Sequence, residues 1–272
     1  MPTFDGAGGR IYYRDWVPEH AIGGMVFGHG FGEHSGLFHR FAFRLNALGI
    51  RVWGIDALGH GLSGGKRGEP AVADLATNVR TLTEIARAAA PGLPLVVAGH
   101  SMGSIAAALA LVQDPGIYRA AVLTGAPIEG FDFSVLDVLD DVVMSRDPFY
   151  LDQLENDPLE AWTRDAPPPG RAALDADKQI WPALGDLDTP ILFVNGENDP
   201  IAPPAMGARA AARCRDAQAV EIDGGCHDIL NDSPHAAVTD LIGEFVLNVL
   251  RTNGSSAEVG AMAPTSALDF VG

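Results

Sequence analysis

The chain of 272 residues is poor in cysteine, in basic residues and in long apolar runs. Its 2 cysteines, Cys214 and Cys226, are too few for a disulfide framework or a multi-thiolate zinc site, and a reduced pair is expected. The 18 Lys and Arg stand against 35 Asp and Glu, a formal net charge of −17. A surface that reads phosphates needs clustered Lys and Arg, so nucleic acid is not an expected partner. The same charge disfavours electrostatic docking on anionic membranes. No stretch of about 18 uninterrupted apolar residues offers a membrane span. Met1–Gly6 has neither the basic start nor the apolar run of a signal peptide, so a cytoplasmic location is expected. Charged residues make up only 19% and hydrophobic ones 47%, which excludes wholesale disorder.

What is present is an alternation. The 32 Gly and 19 Pro fall between short apolar runs, as loops of an α/β domain do. Strands are predicted at Ile11–Val17, Met25–Gly28, Val52–Ile55, Leu95–Ala98, Ala120–Thr124, Ile191–Asn195 and Val220–Ile222. Several are solidly apolar rather than alternating, which fits strands covered on both faces of a parallel sheet. Val72, Leu75, Val79, Leu82 and Ile85 follow helical steps, as do Val238, Leu241, Ile242, Phe245 and Val249. An open, mostly parallel sheet flanked by helices is the expected fold class. Residues 127–186 break the rhythm, with helix-like apolar pieces and then Ala166-Pro167-Pro168-Pro169-Gly170. They read as a helical cap inserted into a core of residues 1–126 and 187–251. The Gly-, Ser- and Ala-rich residues 252–272 read as a disordered tail.

The strongest chemical signal is Gly99-His100-Ser101-Met102-Gly103. G-x-S-x-G between a strand and a helix is the nucleophile elbow, a tight turn that exposes the serine hydroxyl beside a helix N-terminus. A serine nucleophile needs a base and an orienting acid, in chain order Ser, Asp or Glu, His. His227, in a glycine-rich turn after the last predicted strand, fits the base better than His235 at the start of a helix. Asp199, just past the Ile191–Asn195 strand, fits the acid better than Glu197 or Glu129. The oxyanion donors are expected to be the backbone N–H groups of Met102 and of Phe31, the latter in the glycine loop after Met25–Gly28.

Two further patterns invite other readings. Gly59-His60-Gly61-Leu62-Ser63-Gly64 spells G-x-G-x-x-G, but a dinucleotide fingerprint opens a helix directly, and here Gly65–Pro70 continues as loop. His29 and His34 lack a third metal-ligand partner, so a part in the oxyanion loop suits them better.

Together, His29–Gly36 (HGFGEHSG), Asp56–Gly68 (DALGHGLSGGKRG) and Gly99–Gly103 (GHSMG), with Asp199 and His227–Asn231, resemble the monoacylglycerol lipase and lysophospholipase branch of the α/β-hydrolases. The resemblance spans roughly residues 10–250, the cap excepted. It implies an α/β-hydrolase fold, a Ser101–His227–Asp199 triad, an acyl-enzyme intermediate, no cofactor and no metal. It also implies a small ester substrate, monoacylglycerols first. Esters of short-chain or aromatic type, a proline-releasing peptidase and a non-catalytic binding protein are the competing functions. Where the family usually has Arg-Tyr after H-S-G, this chain has Leu37-Phe38. Its insert looks short, and is acidic around Asp137, Asp140 and Asp141. Phe131, Phe133, Leu136, Leu139, Val143 and Phe149 either line an acyl pocket or seal the cap onto the core.

Overall fold

The apolar runs become strands buried on both faces, and their alternation sorts side chains to the two layers of helices. In the computed structural model, which describes residues 1–69, 71–128, 142–159 and 170–252 (backbone only at 170–175), the sheet has eight strands. These are β1 (Thr3–Gly6), β2 (Gly9–Trp16), β3 (Gly23–Gly28), β4 (Ile50–Ile55), β5 (Leu95–His100), β6 (Ala120–Thr124), β7 (Ile191–Gly196) and β8 (Ala217–Ile222). Their spatial order is β1-β2-β4-β3-β5-β6-β7-β8. β1 and β2 are antiparallel at one edge, and the remaining pairings are parallel. Each parallel strand of the centre therefore ends at one edge of the sheet, where ligands of open α/β folds bind.

Period-two alternation divides the core. Met25, Phe27, Val96, Ala98, Val122 and Val194 pack on one side with α1 (His39–Ala47) and α7 (His235–Thr252). Val26, Val97, Leu123 and Phe193 face the other side, with α2 (Val72–Ala89) and α3 (Met102–Gln113). Every residue of α3 from Met102 to Leu111 is buried, as befits a helix that is apolar all round. Leu37 and Phe38, which replace the family's Arg-Tyr, join this core, with the Phe38 ring 4.7 Å from that of Phe27.

The chain then adds α4 (Pro148–Glu155), α5 (Gly170–Ala183) and α6 (Pro204–Arg213). The expected cap at 127–186 divides here. Ala176, Ile180 and Leu184 belong to the same buried cluster as α2 and α3, so α5 is the crossover helix leading into β7 rather than part of a cap. Residues 129–141 and 160–169, where Glu129, Phe131, Phe133, Leu136 and Leu139 fall, lie outside the described residues, as does the tail from 253 onward. β1 escaped the sequence pattern because its four residues alternate between exposed and half-buried. β8 extends further toward its start than expected, as a largely exposed edge strand. Both cysteines are unbridged.

Candidate functional site

The elbow is built by strain that glycines permit. Ser101 follows β5 and caps α3 with φ 49° and ψ −117°, and among the described residues it is the one non-glycine with positive φ. Such a conformation costs of order 1–3 kcal/mol and persists only where its surroundings enforce it. They do so closely: a Cβ on Gly99 would lie 2.1 Å from the Gly103 carbonyl oxygen, and one on Gly103 would lie 2.1 Å from that of Gly28. The two glycines of the motif thus let β5, α3 and β3 pass at backbone distance. The Ser101 N–H donates to the Thr124 carbonyl at 2.9 Å, fixing the turn against β6. Met102 is the first residue of α3, so its N–H has no intrahelical acceptor and adjoins the positive end of the helix.

His227 Nε2 lies 2.9 Å from Ser101 Oγ. Its Nδ1 lies 2.9 and 2.8 Å from the two oxygens of Asp199. A carboxylate only accepts, so Nδ1 carries the proton and Nε2 is left to receive the serine's. Asp199 is held in turn: its Oδ1 accepts the N–H groups of Ile201 and Ala202, each at 2.9 Å. The turn former and the carboxylate partner of His227 are therefore one residue. Burial alone would lower the His227 pKa, but the charge and hydrogen bond of Asp199, with Asp228 beyond, raise it above the ordinary value. Gly125 makes room for the imidazole; it has φ +51°, and a Cβ there would lie 3.1 Å from His227 Cε1.

The loop after β3 is braced from behind. His29 Nδ1 lies 2.7 Å from the Gly30 carbonyl, and the Ala57 N–H donates to its Nε2 at 3.0 Å. Burial and the neighbouring His60 hold the His29 pKa well below the usual range, so it is a neutral strut. Asp56 accepts the N–H groups of Ser35 and Leu62, each at 2.8 Å. The D-x-x-G-H-G string therefore buttresses the expected oxyanion loop. Its G-x-G-x-x-G portion lies in turns, and among the described residues the next helix after it begins at Val72.

The other sequence candidates sit elsewhere. Glu197 accepts the Gly224 N–H. His235 is half-buried with Nε2 3.2 Å from Arg40 Nη1, rather than freely solvated. Val143 and Phe149 are 53% and 55% exposed, and Phe149 lies under the Arg40 guanidinium at 5.0 Å. These two are surface residues rather than the walls of an enclosed pocket. The residue of α4 that reaches inward is Tyr150, which sequence reasoning missed. Its hydroxyl lies 2.7 Å from Glu33 Oε1 and 3.1 Å from Asp228 Oδ2. Nothing local marks it, because both partners are distant in the chain. Among the described residues, ligand-type atoms converge only at His100, His227 and Asp228, within 4.8 Å of one another. His227 faces Ser101 and Asp199, and His100 faces Thr124 and Asp228, so hydrogen bonds within the site already engage these side chains.

A parallel sheet of this order, with a serine at the strand-to-helix elbow, defines the α/β-hydrolase class. A family profile described as "Serine aminopeptidase, S33" matches residues 19–139 and 131–234, and the chain belongs to that family. It is 30% identical to the monoacylglycerol lipase of Mycolicibacterium smegmatis over 271 residues, covering 91% of this chain and 97% of the relative. To human monoglyceride lipase it is 30% identical over 223 residues, 73% of each. Among solved structures, the monoacylglycerol lipase of Paleococcus ferrophilus superposes with a TM-score of 0.73 at 22% identity, covering 88% of this chain and 99% of its own. A carboxyl esterase of Bacillus coagulans, in complex with glycerol, superposes at 0.76 and 21%, covering 92% and 98%. The protein is thus a monoacylglycerol lipase-like α/β-hydrolase. No helix among the described residues is long and apolar enough to cross a membrane.

Proposed function

We propose that the protein is a serine carboxylic-ester hydrolase acting on single-chain esters, with monoacylglycerols as its substrates. The observation that carries this reading is the relay Asp199–His227–Ser101, with contacts of 2.8 to 2.9 Å throughout. In this reading Ser101 Oγ attacks the ester carbonyl carbon while His227 Nε2 takes its proton. The negative charge on the tetrahedral oxygen is met by the Met102 and Phe31 N–H groups and the α3 dipole. Asp199 stabilises the imidazolium, which then protonates the leaving alcohol. A water activated by His227 cleaves the acyl-enzyme, returning Ser101 and releasing the acid. No step calls for a metal or cofactor. The sequence places Phe131, Phe133, Leu136 and Leu139 in the insert, and the acyl chain is assigned to them.

The family's designation as serine aminopeptidases favours a second reading, a peptidase that recognises a free amine. In that reading the acids of the insert, Asp137, Asp140 and Asp141, would receive the amine; Glu33 and Asp228 are already engaged with Tyr150. The test is an initial-rate series on monoacylglycerols of increasing acyl length, beside simple alkyl esters and a prolyl amide, with Ser101→Ala as control. Preference for medium or long monoacylglycerols and a dead variant support the proposal. Prolyl-amide turnover rivalling the esters, or activity surviving in Ser101→Ala, would overturn it.

A further inference from the structure

Beneath the triad lies a second buried chain of titratable groups that the mechanism above does not use. Glu33 comes from the loop after β3, Tyr150 from α4, Asp228 follows His227, and His100 precedes Ser101. All four are buried, Tyr150 completely. Glu33 Oε2 accepts the Gly30 N–H at 2.8 Å, in the loop that carries Phe31. Glu33 Oε1 and Asp228 Oδ2 both face the Tyr150 hydroxyl, at 2.7 and 3.1 Å. His100 Nε2 lies 3.3 Å from Asp228 Oδ1, and its ring centroid lies 5.0 Å from that of His227.

Counting protons shows that this chain cannot be satisfied by two carboxylates. The tyrosine hydroxyl has one proton and can donate to one carboxylate only. The other carboxyl can bond to the phenol oxygen only as a donor, and must then carry a proton itself. One arrangement satisfies every contact: Glu33 accepts the Gly30 N–H on Oε2 and donates from a protonated Oε1 to Tyr150. Tyr150 donates to the Asp228 carboxylate, which His100 faces on its other oxygen. Two adjacent buried carboxylates without that proton would repel each other in a low-dielectric site.

We propose that Tyr150 is a positioning residue which, with Glu33 and Asp228, holds one shared proton under the site and so locks the oxyanion loop, the histidine loop and the 144–157 segment into register. The proposal rests on the ester-hydrolase reading above. The segment is laced to the same loops on both sides of Tyr150. The Asp228 N–H donates to the Met144 carbonyl at 2.8 Å, and the Arg146 N–H to Asp232 at 2.6 Å. His34 Nε2, whose partner nitrogen accepts the Gly36 N–H, faces Asp157 at 2.6 Å. Burial and the Asp228 charge push the Glu33 carboxyl up to about 7, against the opposing pull of His100, Tyr150 and the Gly30 N–H. Burial and both carboxylates push the Tyr150 phenol well above its ordinary value. The shared proton is therefore the one lost as pH rises, and its loss sets two charges against each other behind the oxyanion loop.

The test compares kcat and KM against pH on a soluble p-nitrophenyl ester for the wild type, Glu33→Gln and Tyr150→Phe, with Ser101→Ala as control. An amide at position 33 donates to Tyr150 and accepts from Gly30 as the protonated acid does. Expected are an alkaline fall in wild-type kcat, its removal in Glu33→Gln with kcat kept within a few-fold, and a loss of about tenfold in kcat with little change in KM for Tyr150→Phe. Asp228→Asn carries a neutral side chain at the other end and is read in the same way if Glu33→Gln does not fold. A wild type with no alkaline fall, a neutral variant that keeps the wild-type fall, or unchanged kinetics in Tyr150→Phe would overturn the proposal. Activity in Ser101→Ala would instead overturn the hydrolase reading on which it rests.

Discussion

Two buried histidine–aspartate pairs stand side by side in this protein, and they are organised in opposite ways. In Asp199–His227 both carboxylate oxygens lie within 2.9 Å of one imidazole nitrogen, and two backbone N–H groups hold the acid in place. In Asp228–His100 the contact is 3.3 Å, and the acid's other oxygen is turned to a tyrosine it shares with a second carboxyl. In the proposed mechanism the first pair leaves Nε2 to take a proton from Ser101, while the acid of the second joins Tyr150 and Glu33 in holding the shared proton. The same two residue types thus give a base or a brace according to what else each acid accepts.

The comparison breaks most visibly at the base. His227→Ala is expected to lose about 10⁴-fold or more in kcat, since residues that act as a unit fail together. Circular dichroism should confirm that the variant is folded. Asp199→Asn is expected to cost about 10³–10⁴-fold, because an amide can hold His227 in the wrong tautomer. Asp228→Asn should cost only a few-fold; equal losses at the two positions would make the pairs equivalent.

The acid limb of the wild-type pH–rate profile sharpens the contrast. His227 must be neutral to accept a proton, and its pKa is raised. Activity should therefore fall with acid at a pH above the ordinary histidine value of about 6.5. A limb below that value would mean that Asp199 does not control the base.

Gly125→Ala probes both pairs at once. Its Cβ would lie 2.9 Å from His100 Cε1 and 3.1 Å from His227 Cε1, at a positive φ. About 1–3 kcal/mol of destabilisation in chemical denaturation is expected, together with slower turnover. The smallest effect belongs to Phe149→Ala. The ring lies more than half exposed against Arg40, and its loss should cost under about 1 kcal/mol and leave kcat unchanged. Its neighbour Tyr150 serves as the contrast.

Ser101, Asp199 and His227, the proposed triad, were legible as candidates in the sequence because each follows a strand of recognisable pattern in the chain order of the fold, and the structure brings the three within hydrogen-bonding distance. The elbow was legible for the same reason: Gly99 and Gly103 are forced by backbone contacts that admit no Cβ. Tyr150 was not legible, since it lies 117 and 78 residues from its two partners and only the folded segment brings them together. The start of α5 at Gly170 was hidden because Pro167-Pro168-Pro169-Gly170 reads as loop in the sequence. Val143 and Phe149 were read from hydrophobicity as either lining a pocket or sealing the cap, but hydrophobicity alone does not say which way a side chain faces, and both are more than half exposed.

The most direct test of the account is to quench turnover of a slowly hydrolysed ester and map the acylated peptide by mass spectrometry. The account predicts a single acyl adduct on Ser101, absent from Ser101→Ala, with the free acid as product. An adduct on another residue, or ester hydrolysis that continues in Ser101→Ala, would contradict it.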